Sequence, residues 1–341
     1  MSELRWRLAD DDGGQGALFE QEVERHIGRG EFRGLDVEKL QARRVINEVP
    51  KASRMPFRWT INAYRGCSHR CLYCFARPTH EYLGMNAGDD FDRKIVVKIN
   101  AVERVQAELA PARWGGDHIA MGTNTDPYQR CEGKYRLTQG IVGELSAAAN
   151  PFSILTKSTL ILRDLDLLAE AARRTDVRAN FSIGTLDEDV WRMTEPGTPH
   201  PRRRVDAVAK LNEAGVPCGV LVAPILPGLS DGSDQLEEVV KACVEAGAVS
   251  VTPLLLHLRD GVREHYLGWL AGARPDLMER YAGLYPKAYA PSKTQNELAE
   301  TVRGLVAKYG GRSAGPRQTR SVRAKPPAPA GPDVTQLRLG V

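Results

Sequence analysis

Three cysteines, Cys67, Cys71 and Cys74, fall in the stretch Tyr64-Arg-Gly-Cys-Ser-His-Arg-Cys-Leu-Tyr-Cys-Phe-Ala-Arg-Pro78 of this 341-residue chain. Their spacing puts three soft thiolate ligands on one tight loop, and two chemistries use such a loop. Three thiolates can hold three irons of a cubane 4Fe-4S cluster and leave the fourth iron open, whereas ferredoxin-type electron carriers usually supply four cysteines. The other reading is structural zinc, with His69 or His80 completing a Cys3His tetrahedron. Such zinc sites more often pair two Cys-x-x-Cys knuckles, and this chain has no second knuckle. The remaining cysteines are too scattered for a second cluster. Cys218 and Cys243 read as buried small apolar residues, while Cys131 falls in a loop after a strand, where a thiol could face the mouth.

Polar residues recur at the ends of apolar runs: Thr123-Asn-Thr-Asp126, Lys157-Ser158, Ser182 with Thr185, and Glu195. Each has an ordinary reading as well. Asn124-Thr-Asp-Pro127 can be a turn in which Asp and Asn bond their own backbone, Lys157 a solvated lysine, and Glu195 an acid at a helix start. His118 and His257 read as core or rim residues. The run Arg202-Arg203-Arg204 opens a helix where positive charge opposes the dipole, which hints at an anionic partner. No Walker phosphate loop, dinucleotide Gly-x-Gly-x-x-Gly or Gly-x-Ser-x-Gly elbow is present.

The elements that must position these residues follow from periodicity. After Pro56, short apolar runs alternate with helical stretches, the mark of βα repetition and a parallel sheet. Strands are expected at 57–64, 118–122, 152–156, 178–184, 216–224 and 249–255, with a short extra strand at 95–99. Helices are expected at 101–109, 137–149, 162–174 and 234–246, and one starting near Pro199 or Pro201, where proline fits the first turn. The result is an α/β fold of six βα units, an open or closed barrel with its reactive groups at the C-terminal ends of the strands. Residues 53–310 form this core, with 261–309 as a helical cap. Residues 1–52 read as a polar N-terminal extension with helices near 18–27 and 37–45.

Composition sets the outer limits. At 42% hydrophobic residues the chain can bury a substantial core. No apolar run approaches the roughly 20 residues that span a bilayer, and the N-terminus lacks a signal-peptide core. A cytoplasmic protein without a membrane partner is expected, with cysteines that bind metal rather than pair. Most of the net charge of +4 lies beyond Gly311, where Arg312, Arg317, Arg320, Arg323, Lys325 and Arg338 face a lone Asp333. This Pro-rich tail, 311–341, reads as a solvated disordered end that could also touch phosphates of a nucleic acid.

At the cysteine loop, with the aromatic Tyr73 just before the third cysteine, the sequence resembles the radical S-adenosylmethionine (SAM) superfamily. It looks most like the spore photoproduct lyase branch and its bacterial relatives. The shared signals are Thr125-Asp126, Thr156-Lys157, Ser182-Ile183, Glu195 with Gly197-Thr198, and Ala214-Gly-Val-Pro-Cys-Gly-Val-Leu-Val-Ala-Pro224. The resemblance implies a partial (βα)6 TIM-like barrel. It implies a 4Fe-4S cluster on Cys67, Cys71 and Cys74, whose open iron binds SAM, and reductive cleavage of SAM to a deoxyadenosyl radical that abstracts a substrate hydrogen. It also implies a reductant such as flavodoxin or ferredoxin. Thr125 and Asp126 would meet the SAM amino group, Lys157 and Ser182 its carboxylate or ribose, and Tyr73 would lie near the adenine, with Glu195 a further site ligand; the Cys131 thiol, if it faces the mouth, could return a hydrogen atom to a product radical. Two alternatives stand beside this reading: a non-catalytic zinc or iron–sulfur module that binds a partner, and a nucleic-acid repair lyase.

Overall fold

The computed structural model describes residues 19–27, 33–50, 53, 55–110 and 114–313. The strands in chain order are β1 (Phe19–Ile27), β2 (Asp36–Ala42), β3 (Ile46–Glu48), β4 (Trp59–Ile61), β5 (Tyr64–Arg65), β6 (Lys94–Lys98), β7 (Ile119–Met121), β8 (Phe152–Thr156), β9 (Val177–Ser182), β10 (Cys218–Ile225) and β11 (Val251–Leu255). They form two sheets. The larger has the order β11-β10-β9-β8-β7-β4-β3, in which all neighbours are parallel except β3, which pairs antiparallel with β4. Its six parallel strands are the six expected. Continuous apolar runs make such strands because both faces are covered: Ile119, Ala120 and Met121 of β7 are all buried. β3 and β11 are the two edges and do not pair with each other, so the described sheet is open.

Helices return the chain between strands: Leu137–Ala147, Leu165–Arg174, Pro201–Glu213 and Ser233–Glu245. Pro201 occupies the first turn of its helix as expected. The cap consists of Val262–Ala273, Met278–Leu284 and Ser292–Lys308. The last of these packs on β11 and on Ser233–Glu245. Beyond it, the carbonyl of Arg312 accepts from Val251 N on the free edge of β11, at 3.0 Å. The tail from 314 lies outside the described residues.

The N-terminal expectation needs correction. The segments expected as helices near 18–27 and 37–45 are strands, β1 and β2, in a second sheet of order β1-β2-β6-β5. Glu38, Lys39, Leu40, Gln41 and Ala42 all favour helix, but β2 pairs with β6 from Asp36↔Lys94 to Leu40↔Lys98, and tertiary pairing overrides local propensity. The single strand expected at 57–64 is also divided: β4 belongs to the large sheet and β5 to the small one. That switch carries the chain from one sheet into the other immediately before the first cysteine. A helix at Glu188–Thr194, capped by the Asp187 carboxylate on the amides of Asp189 and Val190, was not foreseen.

Candidate active site

Gly66 is the hinge into the cysteine loop. It has φ +75°, and a Cβ there would lie 2.8 Å from Lys94 O and 2.9 Å from both His80 Cε1 and Phe91 O, so only glycine fits. Its carbonyl accepts the Thr125 hydroxyl at 2.6 Å and Gln129 Nε2 at 3.0 Å, while Gln129 Oε1 accepts Ser68 N at 2.9 Å. Asn62 ties the end of β4 to the loop after β7 through Thr123 Oγ1 and Asn124 N. The loop is thus sewn to the next strand's loop by backbone and amide groups.

Arg77 holds the far side. Fully buried, its guanidinium donates to Cys71 O at 3.1 and 2.9 Å, to Ala87 O and Gly88 O, and to both oxygens of Asp92 at 2.9 and 3.1 Å. The planar five-donor fork can serve all of these acceptors at once, and lysine cannot.

Cys67 and Cys71 are buried, Cys74 is half-buried, and all three are free thiols. Burial pushes each thiol pKa up. Asp126 and the other two thiols push Cys67 further, and Glu195 and Cys74 do so for Cys71. Three such sulfurs become thiolates only against a positive partner, and soft thiolates select iron–sulfur clusters or zinc. One nitrogen of each histidine considered for zinc is engaged elsewhere, His69 Nδ1 3.3 Å from Asp126 Oδ2 and His80 Nε2 2.9 Å from Lys94 O, while His80 Nδ1 is buried without a hydrogen-bond partner. Among the described residues no three His, Cys, Asp or Glu side chains gather as a site for one metal ion. A cluster, which brings one iron to each sulfur, suits this donor set.

Asp126 does not stand free at the mouth. Its Oδ1 accepts Thr156 Oγ1 at 2.7 Å and Tyr128 N at 2.9 Å, and its Oδ2 accepts Lys157 N at 2.7 Å and faces His69. Burial alone would raise this carboxyl, but His69 and the hydrogen bonds from His69, Lys157 N and Thr156 outweigh it and hold the carboxylate ionised. About four acceptor positions exist on a carboxylate, and four donors fill them. Asp126 is therefore a buckle between β7, β8 and the cysteine loop, and Thr125, on Gly66 O, is another.

The side chains of Tyr73, Lys157, Ser182 and Glu195, drawn from four separate segments, meet in one network. Lys157 Nζ donates to Ser182 Oγ at 2.7 Å, to Glu195 Oε1 at 3.0 Å and to Ala223 O at 3.4 Å, and lies 5.5 Å from the Tyr73 ring centroid. The Tyr73 hydroxyl donates to the same Glu195 oxygen. Arg204, buried at the start of Pro201–Glu213, pairs with the other Glu195 oxygen and donates to Ser182 O at 3.1 Å. The anionic partner hinted at by the three-arginine run is thus, for Arg204, a carboxylate of the same chain. Arg202 pairs with Glu238 on the surface.

Cys131 sits elsewhere. It is fully buried at the start of the short helix Glu132–Tyr135, near Tyr64 and Glu132, with its thiol pushed up to about 12 by burial. No described hydrogen bond joins it to the Lys157–Glu195 network. Cys218 and Cys243 are fully buried, as expected.

Residues 61–247 match the family described as the radical SAM superfamily. The chain belongs to the radical SAM superfamily. Members of this superfamily use a 4Fe-4S cluster and SAM. An uncharacterised protein of Mycobacterium tuberculosis is 44% identical over 300 residues, 88% of each chain. One from Methanocaldococcus jannaschii is 28% identical over 199 residues, 58% of this chain and 70% of the other. Among solved structures, a spore photoproduct lyase complexed with dinucleoside spore photoproduct superposes with TM-score 0.58 at 21% identity, covering 80% of this chain and 79% of that one. A mutant of the lyase with bound AdoMet gives TM-score 0.56 at 20% identity, covering 76% of each chain. At this identity the likeness concerns the fold.

Proposed function

We propose that this radical SAM protein is an enzyme that holds its 4Fe-4S cluster on Cys67, Cys71 and Cys74 and binds SAM between that loop and the Lys157–Ser182 network. The observation that carries this reading is the loop itself: three free thiols at the C-terminal end of the first parallel strand, fixed by Gly66, Gln129 and Arg77. When bound, the cluster supplies one electron that cleaves SAM to a deoxyadenosyl radical, which takes a hydrogen atom from the substrate.

The protein's own share is binding and orientation. Lys157 and Arg204 bring two positive charges against the one carboxylate of Glu195, and the surplus favours the SAM carboxylate beside Lys157 and Ser182. Glu195 fixes the ammonium of Lys157 in advance. Tyr73, its hydroxyl anchored on Glu195, offers its ring to the adenine. Thr125 and Asp126 act by holding the loop, and the Asp126 charge favours the SAM ammonium at longer range.

We place the reaction in the cytoplasm, with flavodoxin or ferredoxin as reductant; no helix among the described residues is long and apolar enough to cross a membrane. The lyase subclass rests on the likeness to spore photoproduct lyase, which makes short oligonucleotides the first substrates to try. Anaerobic reconstitution with iron and sulfide, then reduction in the presence of SAM, should yield deoxyadenosine. Cys71→Ala should lose iron and this product, while Cys243→Ala keeps both. A Cys71→Ala protein that still cleaves SAM would overturn the assignment.

A further inference from the structure

A cavity of about 290 Å³ lies on the C-terminal side of the large sheet, between the ends of β10 and β11 and the cap helices Met278–Leu284 and Ser292–Lys308. Much of its lining is apolar: Pro227, Leu255, Leu284 and Leu298. Thr294, one turn before Leu298 on the same helix face, adds a hydroxyl that makes no hydrogen bond among the described residues. The space has a cause in the cap. Tyr281 and Tyr285 turn into the core, the first against the Tyr266 hydroxyl at 3.0 Å and the second donating to Leu256 O at 2.9 Å. Gly283 and Leu284, between them, line the cavity, and a Cβ on Gly283 would meet no atom within 4 Å. Glycine disfavours a helix interior, and here its missing side chain is cavity volume. One wall is charged yet balanced: Arg280 pairs with Asp231 Oδ2, while Asp231 Oδ1 accepts Gly228 N at 2.7 Å. The guanidinium keeps donors that Asp231 does not use.

We propose that this cavity is a second binding site, for an uncharged and mainly apolar group of about two fused rings that offers Arg280 a hydrogen-bond acceptor. Small-molecule sites are concave, apolar and furnished with a few placed polar groups, from about 300 Å³ upward. A cavity of about 150 Å³ holds one benzene, so roughly twice that volume sets the size of the occupant. Charge sets its class. Arg280 and Asp231 answer each other, and no other charged side chain lines the cavity, so an ion would leave water without a counter-charge to meet it. The inference goes beyond the cluster reading and needs neither iron nor SAM. Pro227 stands four residues after Ala223, whose carbonyl accepts Lys157 Nζ, so the two Cα atoms are at most about 14 Å apart. The group can therefore belong to a remote part of the substrate or to a separate molecule held by the cap.

The test uses the full reconstituted chain and three probes of one shape, naphthamide, naphthoate and naphthamidine, which are neutral, anionic and cationic. Equilibrium dialysis measures the binding of each. Naphthamide should bind the wild type with a Kd of about 1 mM or below and more tightly than either ion. Gly283→Leu fills the cavity from a position with room for a side chain, so naphthamide should bind about tenfold more weakly or worse, with a thermal midpoint no lower than that of the wild type. Asp231→Asn keeps an acceptor for Gly228 N and leaves the Arg280 charge unanswered, so naphthoate should then bind more tightly than naphthamide. No naphthamide binding up to about 10 mM overturns the proposal, as do equal binding by Gly283→Leu and a wild-type preference for either ion. Deoxyadenosine formation with saturating naphthamide separates the two sources: a changed rate assigns the cavity to the substrate, an unchanged rate to a separate molecule. A chain that forms deoxyadenosine but binds no probe loses this site and keeps the proposed function.

Discussion

Glu195 shows how much one buried carboxylate can organise. Burial by itself would raise its pKa, but Arg204, Lys157 and the Tyr73 hydroxyl more than reverse this and hold the group well below the usual carboxylate range. A depressed folded pKa means that the stabilisation is fully present above the unfolded value of about 4.3 and is lost as pH falls through the folded value. Glu195→Gln leaves Lys157 and Arg204 buried without their counter-ion, which should cost roughly 3–5 kcal/mol at pH 7. Urea unfolding at pH 7, 4 and 3 checks the sign: the gap between variant and wild type should narrow progressively below about pH 4. A gap independent of pH would mean that the carboxylate charge is not what the network needs. At this scale the sequence marked the cysteines by their spacing, and by their place at strand ends it marked Lys157, Ser182 and Glu195, which the structure brings into one network. Arg77 and Gln129 were missed, and Arg204 was marked only as part of a basic run, because their partners are backbone carbonyls and side chains that no local spacing reveals. The acceptors filled around Asp126 were hidden for the same reason. An arginine three residues after the last cysteine and a basic run against a helix dipole were the only signals.

Between elements, the turn from Glu195 to Thr198 and the cysteine loop meet with no space to spare. Gly197 N donates to His69 O at 3.0 Å, and a Cβ on Gly197 would lie 2.3 Å from Ser68 O and 2.8 Å from His69 O. Leu72 N donates to Thr194 O just beside it. Gly197→Ala must therefore displace one of two backbones, and a cost of roughly 2–3 kcal/mol is expected, in the range of overpacking. Because the displaced backbone carries the cysteines proposed as ligands, iron content after reconstitution should fall as well. Gly143 lies inside the helix Leu137–Ala147 with open space where its Cβ would be. Gly143→Ala should instead stabilise by about 0.5–1 kcal/mol, with iron content unchanged. Thermal midpoints and iron-to-protein ratios of the two variants separate a packing effect at the loop from a general effect of added methyl groups. Long βα units were readable from the apolar period because both faces of their strands are covered. β1 and β2 were not, since β2 is made of good helix formers and owes its strand to β6, more than fifty residues away.

For the molecule as a whole, the question is whether the site exists before its cofactor arrives. In small metal-dependent domains, binding free energy is folding free energy, and the apo chain unfolds. Here the cysteine loop hangs between two sheets whose strands form without it. Its amides at Cys67, Ser68, Leu72 and Cys74 already have acceptors at Phe91, Gln129, Thr194 and Cys71. The apoprotein should thus be folded, with the loop in place. The variant with all three cysteines replaced by alanine tests this: each substitution removes little more than one sulfur, at about 1 kcal/mol. Its thermal midpoint should fall by no more than about 10 °C, with the far-ultraviolet circular dichroism of the wild type. Amide exchange at Cys67 and Leu72 in the wild-type apoprotein should remain slow, changing little when the cluster is loaded. A triple variant that is unfolded at 25 °C, or fast exchange at those amides before loading, would place this chain among proteins whose metal builds the fold, and the hydrogen bonds from Gln129, Phe91 and Thr194 would then be consequences of the cofactor rather than the frame that receives it.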